Sequence, residues 1–502
     1  MKKLVYSLAL LFITTIDTSY ATNCDKFKEN QPVLAGGRVK PLLVLAKETT
    51  KFLTGKTNVK NKGPLEIYCE MVLSAVTEKS FELPILVEHV NTKKVLGLSQ
   101  EQKTITSTEL IEKKDQLRSE ILQIKENTSE KKDLIKTFNR LQTYEGVVTG
   151  KSFTVFTSIN GTKKWRSIVN HFNDGTAGII NAIKESKSEY DKDKNTDYLL
   201  ELTYVKSHIF SYAMLLSLVA IFLTVIMKNM KAGVSVALIA IIVEIIGMTM
   251  RVLISGRAPI TNMYETVMFS GFGALTISMV ILFFKRDKVY LIAGLAYNIL
   301  CLMMMMFANN MLSSSIAPLV PVLRDNFWLS THVTTIILSY AALALSWIMA
   351  NITLLKLRFG NISKKEYRYY EQLTYTCIKV GIVLLSAGII LGGVWADYSW
   401  GRFWGWDPKE TWSLIVLLFY MVMVHGKYTS WINTNRFIIL SSLGFMLVMM
   451  AWFGVNYILA SGLHSYGFSE GGAIFLGAFF ISQIVFTVVC TFKTQLTEKK
   501  ND

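Results

Sequence analysis

The sequence predicts an α-helical polytopic membrane protein with about nine transmembrane helices and an N-terminal α-rich extracytoplasmic domain. Three observations support this fold class. Hydrophobic residues make up 51% of the 502 residues. Apolar runs close to the ~20 residues that a bilayer requires follow one another after residue 205. Lys and Arg are concentrated in alternate short loops between these runs, as expected for cytoplasmic loops.

The amino terminus has the pattern of a secretory signal peptide over residues 1–21. Lys2 and Lys3 precede the apolar stretch from Leu4 to Ile16, and small residues follow up to Ala21, at the usual cleavage position. The apolar stretch is short for a membrane span. An uncleaved membrane anchor is the alternative interpretation.

Residues 22–205 are rich in Lys, Glu, Thr and Ser, and we expect them to form the extracytoplasmic domain. The segment 109–142 has helical spacing and many charges, whereas residues 153–157 alternate like a strand. Cys24 and Cys69 can pair in an oxidising compartment, although the sequence does not give the distance between them.

This domain offers no catalytic site that the sequence identifies. His89 and His171 are isolated, and we interpret them as surface or structural residues. The sequence contains no CxxC motif, which argues against a thioredoxin-like thiol exchanger.

Residues 206–492 hold the predicted spans, and residues 493–502 form a predicted cytoplasmic tail. With residue 205 outside, the Lys/Arg-rich loops and the tail all fall in the cytoplasm. The net charge of +16 is therefore explained by orientation in the membrane, and we expect no binding to nucleic acid. The predicted spans are roughly 208–228, 232–250, 264–284, 289–309, 334–355, 375–394, 411–427, 437–459 and 472–490.

The segment Val394–Trp412 reads V-W-A-D-Y-S-W-G-R-F-W-G-W-D-P-K-E-T-W and is predicted to lie outside the membrane. It holds five of the ten tryptophans, which is more than an interfacial aromatic belt requires. Indole rings at this density suit a flat aromatic ligand at the membrane surface. An aromatic belt that only anchors the chain is the alternative. The polar residues available for the edge of such a ligand are Arg402, Asp407, Lys409 and Glu410.

Three histidines have positions that suit the same ligand. His332 and His464 flank the tryptophan-rich segment at one predicted membrane face. His425 lies about 22 Å below the outer end of its span at ~1.5 Å per residue, where an ionisable group is a functional candidate. Because neutral imidazole ligates iron, two histidines at an aromatic platform can hold a metalloporphyrin from both faces. Hydrogen bonding at helix ends is the alternative role for each of them.

Two further features are interpreted as structural. His208 begins the first span, where an interfacial histidine is common and makes a weak ligand candidate. The run Met303–Met306 points around a helix and not at one ligand, so it indicates packing.

These motifs resemble the WWD haem-handling superfamily and, within it, the CcsA (ResC) family of system II cytochrome c synthases. The resemblance covers roughly residues 205–490. Residues 36–49 are similar to the outer domain that precedes this part in fused CcsBA proteins. The motifs that carry it are W-G-R-F-W-G-W-D-P-K-E-T-W (400–412), G-R-A-P-I-T-N-M-Y-E (256–265), W-L-S-T-H-V (328–333), H-G (425–426) and G-V-N-Y-I-L-A-S-G-L-H-S-Y-G (454–467).

The resemblance implies that haem b is carried to the outer membrane face and joined through its vinyl groups to the CxxCH thiols of apocytochrome c. It implies that His332 and His464 ligate the presented haem iron and that His425 is a transmembrane haem ligand. It also implies a haem-contact loop with three candidate supporting residues. The loop residues are Trp395, Trp400, Arg402, Trp404, Trp406, Asp407, Lys409, Glu410 and Trp412, and the supporting residues are Arg257, Tyr264 and Glu265.

The chain is therefore expected to be a holocytochrome c synthase (haem lyase) or its core subunit. No side chain needs to act as nucleophile, because the cysteines of the substrate serve. Fused relatives carry an additional amino-terminal membrane part with a second transmembrane histidine, so we expect a separate CcsB/ResB-like subunit here. A haem exporter or chaperone without ligation activity, and a scaffold that only anchors in the bilayer, are the alternatives.

Overall fold

A computed structural model describes residues 23–77, 81–124, 129–159, 162–192, 196–308, 311–318, 325–360, 362–459 and 472–492. The chain divides into two compact units, Met1–Leu202 and Thr203–Asp502. The expected signal peptide at 1–21, the tail at 493–502 and His464 lie outside the described residues.

The first unit combines helices with three small antiparallel sheets, β1–β2, β3–β4 and β5–β6. The predicted charged helical segment is present as three helices, α4 to α6, and the predicted strand is β5. The strands are β1 (Pro32–Ala35), β2 (Arg38–Pro41), β3 (Pro84–Leu86), β4 (Thr104–Thr106), β5 (Thr154–Ile159) and β6 (Thr162–Ser167). The helices are α1 (Leu42–Thr54), α2 (Pro64–Thr77), α3 (Val90–Val95), α4 (Ser107–Glu112), α5 (Lys114–Gln123), α6 (Ser129–Val148) and α7 (Gly175–Lys192), with 3-10 turns at Asn23–Lys26 and Ile168–Asp174.

A buried arginine and a disulfide hold this unit together. Arg140 on α6 donates to the carbonyl oxygens of Phe52 at 2.9 Å and Leu86 at 2.8 Å, which links α6 to α1 and β3. Cys24 and Cys69 are paired, with their Cα atoms 5.7 Å apart. The pairing that the sequence left open is therefore present, and it fastens the start of the unit to the buried face of α2.

Removing this disulfide is expected to destabilise the first unit. The bridge closes a loop across a sequence separation of 45, and a loop of that length corresponds to a loss of about 4 kcal/mol in the free energy of unfolding. In pulse proteolysis of the full chain, the protease should cleave the Cys24→Ser/Cys69→Ser variant at a lower urea concentration than the parent. A Cys377→Ser variant is the control, because Cys377 is a buried cysteine that forms no disulfide. An unchanged cleavage midpoint in the double variant would contradict the prediction.

The second unit is helical, and its described part contains nine helices long and apolar enough to cross a membrane, which confirms the predicted number. α8 (Tyr198–Ser207) leads into the first of them. The fifth starts with a short helix, Asn326–Trp328, and a π-helical turn, Leu329–Val333, and the eighth ends in π-helical residues Met450–Leu459. The regular α-helices are α9 (Ile209–Val225), α10 (Met230–Ser255), α11 (Met263–Lys285), α12 (Lys288–Phe307), α13 (Thr334–Phe359), α14 (Lys364–Trp400), α15 (Pro408–Tyr428), α16 (Thr434–Met449) and α17 (Gly472–Thr491).

α13 is the central helix of this unit and packs against α11, α12, α14, α16 and α17. Small residues permit the close approach of α13 and α14. A Cβ atom on Gly381 would lie 2.6 Å from a methyl group of Leu343, and one on Gly388 would lie 2.6 Å from Ile336. Interfaces between membrane helices depend on such small residues, because packing replaces the hydrophobic effect there.

Buried polar side chains tie further helices together. Gln483 on α17 accepts from the Trp347 indole at 2.9 Å and donates to Ser442 at 2.7 Å, which links α17 to α13 and α16. Asn298 on α12 donates to Glu244 on α10 at 2.6 Å, and both side chains are fully buried. These bonds fix the helices that carry the site at one end of the unit.

Candidate functional site

A cavity of about 390 Å³ lies where several helix ends and loops of the second unit meet. This volume falls within the range typical of small-molecule sites. Its wall is mostly apolar and aromatic, and it unites six of the fifteen candidate site residues that the sequence singled out. The predicted residues in the wall are His332, Trp395, Trp400, Trp404, Lys409 and Glu410.

His332 lies on the π-helical turn Leu329–Val333, and its imidazole is fixed from two sides. Its Nδ1 is 2.8 Å from the carbonyl oxygen of Gly388, and its ring centroid lies 5.8 Å from that of Trp395. Because a carbonyl only accepts, Nδ1 carries the proton and Nε2 has the lone pair. Metal-bound histidines are commonly oriented in this way by a carbonyl partner. π-Helical turns are also frequent at functional sites.

Glycines on α14 make room for this imidazole and for the aromatic ring next to it. A Cβ atom on Gly392 would lie 2.6 Å from Cε1 of His332, and one on Gly393 would lie 2.5 Å from the Phe403 ring. The His332 ring therefore packs directly against the backbone of α14 at Gly392.

The tryptophans do not all lie in one loop, which corrects the prediction. α14 continues to Trp400, so Trp395 and Trp400 are helical, and Trp412 lies on α15. The helix extends beyond the apolar run and ends at Gly401, which caps it in the left-handed conformation with φ of 67°. Only Trp404 and Trp406 belong to the loop, where their rings meet edge to face at 5.9 Å.

These tryptophans differ in what they can contact. Trp395 is 6% exposed, and its indole N–H has no hydrogen-bond partner among the described residues. Trp406 is 70% exposed and does not line the cavity, and Trp412 packs against the helix core. Trp395, Trp400 and Trp404 are therefore the ring surfaces that a planar ligand in the cavity would meet.

Asp407 and Glu410 shape the loop through its backbone. Asp407 caps α15 by accepting from the Lys409 N–H at 3.0 Å, and Glu410 accepts from Gly405 at 2.7 Å and from Asp407 at 3.2 Å. The Arg402 guanidinium lies 3.9 Å from Glu410. The acidic pair therefore forms a capping box in the structure. Its contact with the edge of a ligand stays a prediction.

Removing this cap is expected to loosen the tryptophan-bearing loop. The Asp407→Ala substitution should cost about 1 kcal/mol of helix stability, and limited proteolysis should then cleave the chain faster between residues 401 and 407. Ser363→Ala is the matched control, since Ser363 caps α14 by the same capping box away from the cavity. Equal cleavage of the loop in parent and Asp407→Ala protein would refute this role.

The structure does not bring His425 to the cavity. His425 lies near the far end of α15, where its Nδ1 is 2.8 Å from the Met421 carbonyl oxygen. Its side chain is exposed on the surface of the unit, in line with the exposed Leu418 and Val422. His464, the expected partner of His332, lies outside the described residues.

The remaining histidines and the methionine run have surroundings of the expected kind. His89 accepts from the Asn91 N–H at 3.3 Å and caps α3. His208 precedes α9 with φ of 47°, and His171 lies in a 3-10 turn. Of the methionines, Met303 is exposed whereas Met305 is buried, so the run does point around its helix.

The three candidate supporting residues contact the cavity wall indirectly. Arg257 donates to the Ala317 carbonyl at 2.7 Å, and Ala317 lines the cavity. Glu265 accepts from the Thr261 N–H and hydroxyl, each at 2.7 Å. The guanidinium carbon of Arg251 lies over the Tyr264 ring, 5.3 Å from the centroid of that ring. Sequence reasoning missed Arg251, although an arginine near the end of an apolar span is a signal by itself.

Sequence reasoning also missed much of the cavity wall. The segment after α12 and the first π-helical residues of the eighth span contribute side chains that lie outside the recognised motifs. Examples are Met311 and Trp452. The Met311 carbonyl accepts at 2.9 Å from the hydroxyl of Tyr457, which belongs to the motif at 454–467.

Comparison with known proteins gives consistent matches to the second unit. The profile of the family described as "Cytochrome C assembly protein" matches residues 260–464. The "Cytochrome c biogenesis protein CcsA" of Guillardia theta is 34% identical over 284 residues, which are 51% of this chain and 93% of that protein. The protein of the same name from Prochlorococcus marinus (strain MIT 9301) is 33% identical over 48% of this chain and 87% of its own length. "Protein NrfI" of Wolinella succinogenes is 34% identical over 44% of this chain and 24% of its length.

Proposed function

Since the chain belongs to the CcsA family of cytochrome c biogenesis proteins, we propose that its cavity binds haem b and presents it for covalent attachment to apocytochrome c. The observation that supports this most directly is the anchored imidazole of His332 at the wall of an aromatic cavity. The hydrogen bond to Gly388 leaves Nε2 as the nitrogen for an axial bond to iron. Membership of the family thus supports a role in haem handling, and the geometry of the cavity supports His332 as the iron ligand.

The residues of the cavity suit haem as a substrate. Haem is planar and mostly apolar, and Trp395, Trp400 and Trp404 offer ring surfaces of the same character. Its carboxylates require donors, and Lys409 lines the cavity while the buried Trp395 N–H has no acceptor among the described residues. We propose His464 as the second axial ligand, on the sequence motif alone.

The attachment step needs little from the protein beyond position. Each thiol of the CxxCH motif adds across a haem vinyl group, so that a C–S bond forms, the S–H bond breaks, and the proton goes to the other vinyl carbon. No electrons are exchanged with a cofactor. The chain would contribute by holding the vinyl edge next to the thiols, and holding reactants in register supplies a large share of many rate enhancements.

The proposed orientation follows from charge. The Lys/Arg-rich loops favour a cytoplasmic location for one end of the helices, so the cavity is proposed to face outward from the bacterial inner membrane. Haem made in the cytoplasm would then have to cross the bilayer, and His425 near the cytoplasmic end of α15 is the proposed ligand on that route.

The exposure of His425 within a membrane span also supports the proposal of a partner subunit. Ionisable side chains within membrane spans usually face protein or a water-filled cavity, because exposure to lipid is costly. His425 is instead exposed on the unit, beside apolar residues of the same helix face. We therefore propose that a CcsB/ResB-like membrane subunit covers this face of α15 and supplies a second transmembrane ligand. Purification of an active, haem-replete enzyme without a second subunit would refute this.

Transfer of haem to a CxxCH reporter protein, in a strain without another cytochrome c synthase, tests the main proposal. Expression of this chain with its proposed partner should yield haem-stained reporter. A haem exporter or chaperone without ligation activity is the alternative, and the haem-handling platform alone would serve it equally well. The alternative is favoured if the purified protein shows a Soret band while the reporter remains without covalent haem.

A further inference from the structure

A fully buried ion pair lies behind the cavity wall, outside the set of residues that line it. Arg251 on α10 is 0% exposed and Glu265 on α11 is 1% exposed. Arg251 Nε donates to Glu265 at 2.7 Å. Burial of both charges is costly, and replacement of such pairs by apolar residues is often neutral for stability. The pair is therefore not explained well as a source of stability.

The bonds that radiate from this pair lead to two separate loops of the cavity wall, and a longer bond of 3.4 Å runs from Arg251 Nη1 to the Tyr204 hydroxyl on α8. Glu265 accepts from the backbone and hydroxyl of Thr261 at 2.7 Å each. Arg251 Nη1 donates to the carbonyl oxygen of Ser314 at 3.0 Å. Thr261 lines the cavity, and the two neighbours of Ser314 in the chain, Ser313 and Ser315, line it as well.

We propose that Arg251 and Glu265 are positioning residues of the haem site, which form a clamp that holds these two loops against each other. This inference rests on the proposed function for the identity of the ligand. The clamp joins the loop before α11 to the segment after α12, two pieces of chain that are otherwise short of regular structure. Its loss opens the wall of the cavity without removing any group that contacts haem.

The test separates positioning from stability by removing both charges together. In the Arg251→Met/Glu265→Met variant neither charge is left unpaired, so the thermal midpoint should stay close to that of the parent. Thr261 and Ser314 nevertheless lose their partners. Glu244→Met/Asn298→Met is the matched control, because this pair is also fully buried and hydrogen-bonded, starts from the same helix, and lies outside the cavity wall.

The first readout needs no haem. A Ser315→Cys substitution is placed in each background, and its labelling by a maleimide is followed in haem-free protein. Background labelling is low, because the described cysteines outside the disulfide are buried. We expect labelling roughly tenfold faster in the clamp variant, equivalent to about 1.4 kcal/mol of local opening, and an unchanged rate in the control.

The second readout is haem affinity, followed by the Soret band of the purified protein. Loss of groups that orient a metal ligand or its surroundings typically costs about 10- to 100-fold in affinity, and we expect a loss of this size for the clamp variant only. Arg251→Lys keeps the charge pair but shortens the reach to Ser314. It should accelerate labelling at residue 315 even if the double variant fails to fold.

The outcomes distinguish the clamp from the proposed function. Equal labelling in the parent, the clamp variant and Arg251→Lys overturns the clamp, as does equal acceleration in the control pair. A parent protein that binds no haem overturns the proposed function, whereas selective acceleration of labelling in that same protein still supports the clamp.

Discussion

Replacement of His332 by alanine is expected to reduce haem transfer to a CxxCH reporter on the order of 100-fold. The imidazole is the proposed iron ligand in the cavity wall, and its Nδ1 is bonded to the Gly388 carbonyl at 2.8 Å. Without Nε2 the iron loses an axial ligand, so the visible spectrum should change with the loss of transfer. Haem staining of the reporter and the Soret band of the purified enzyme measure the two effects.

His89→Ala is the control for this substitution. It also removes an imidazole, but one that caps α3 in the first unit and lies outside the cavity wall. Transfer and spectrum should both remain at the parental level in this variant. A His332→Ala/His464→Ala double variant with parental absorbance and parental cytochrome maturation would contradict ligation of iron by this pair.

A single methyl group on Gly392 is expected to have nearly as large an effect. The Cβ atom of Gly392→Ala would lie 2.6 Å from Cε1 and 3.0 Å from Nδ1 of the His332 ring. Both distances are below ordinary contact, and α14 cannot easily move because it packs closely on α13. The ring must therefore tilt away from Gly388, and we expect haem affinity to fall about 10- to 100-fold.

Gly477→Ala on α17 provides the comparison for Gly392→Ala. A Cβ atom at Gly477 meets nothing within 4 Å, so alanine there should only improve the local helix propensity, by up to about 1 kcal/mol. A haem titration of both purified variants decides the question. If Gly392→Ala binds haem as tightly as Gly477→Ala, haem binding does not depend on the space that Gly392 leaves for the His332 ring.

The membrane fold follows from sequence because its main constraint is local. Each span must satisfy its own backbone hydrogen bonds, so length and apolar composition suffice to locate it. The end of α14 shows the limit of this reasoning. Hydropathy ends the predicted span near residue 394, whereas the helix continues to Trp400, since helical hydrogen bonding continues beyond the apolar run until Gly401 ends it.

The candidate site is only partly readable from sequence for a different reason. Trp395, Trp404 and Lys409 belong to one dense motif, and composition reveals them. Met311 and Trp452 reach the same cavity from distant parts of the chain, through tertiary packing that no local pattern encodes. Arg251 acts through Glu265 on a loop that it does not belong to, and only the fold brings them together.

The disulfide between Cys24 and Cys69 imposes a condition on the chemistry proposed for this protein. Apocytochrome c can react with haem only while its own two cysteines are free thiols, so a reductant has to act in the same compartment. That reductant must spare the bridge of the first unit. Cys69 is fully buried and Cys24 is partly buried, and thiol exchange requires direct attack on one of the two sulfur atoms. Attack is then limited to the Cys24 sulfur, and slow reaction there would let one compartment keep an oxidised enzyme beside a reduced substrate.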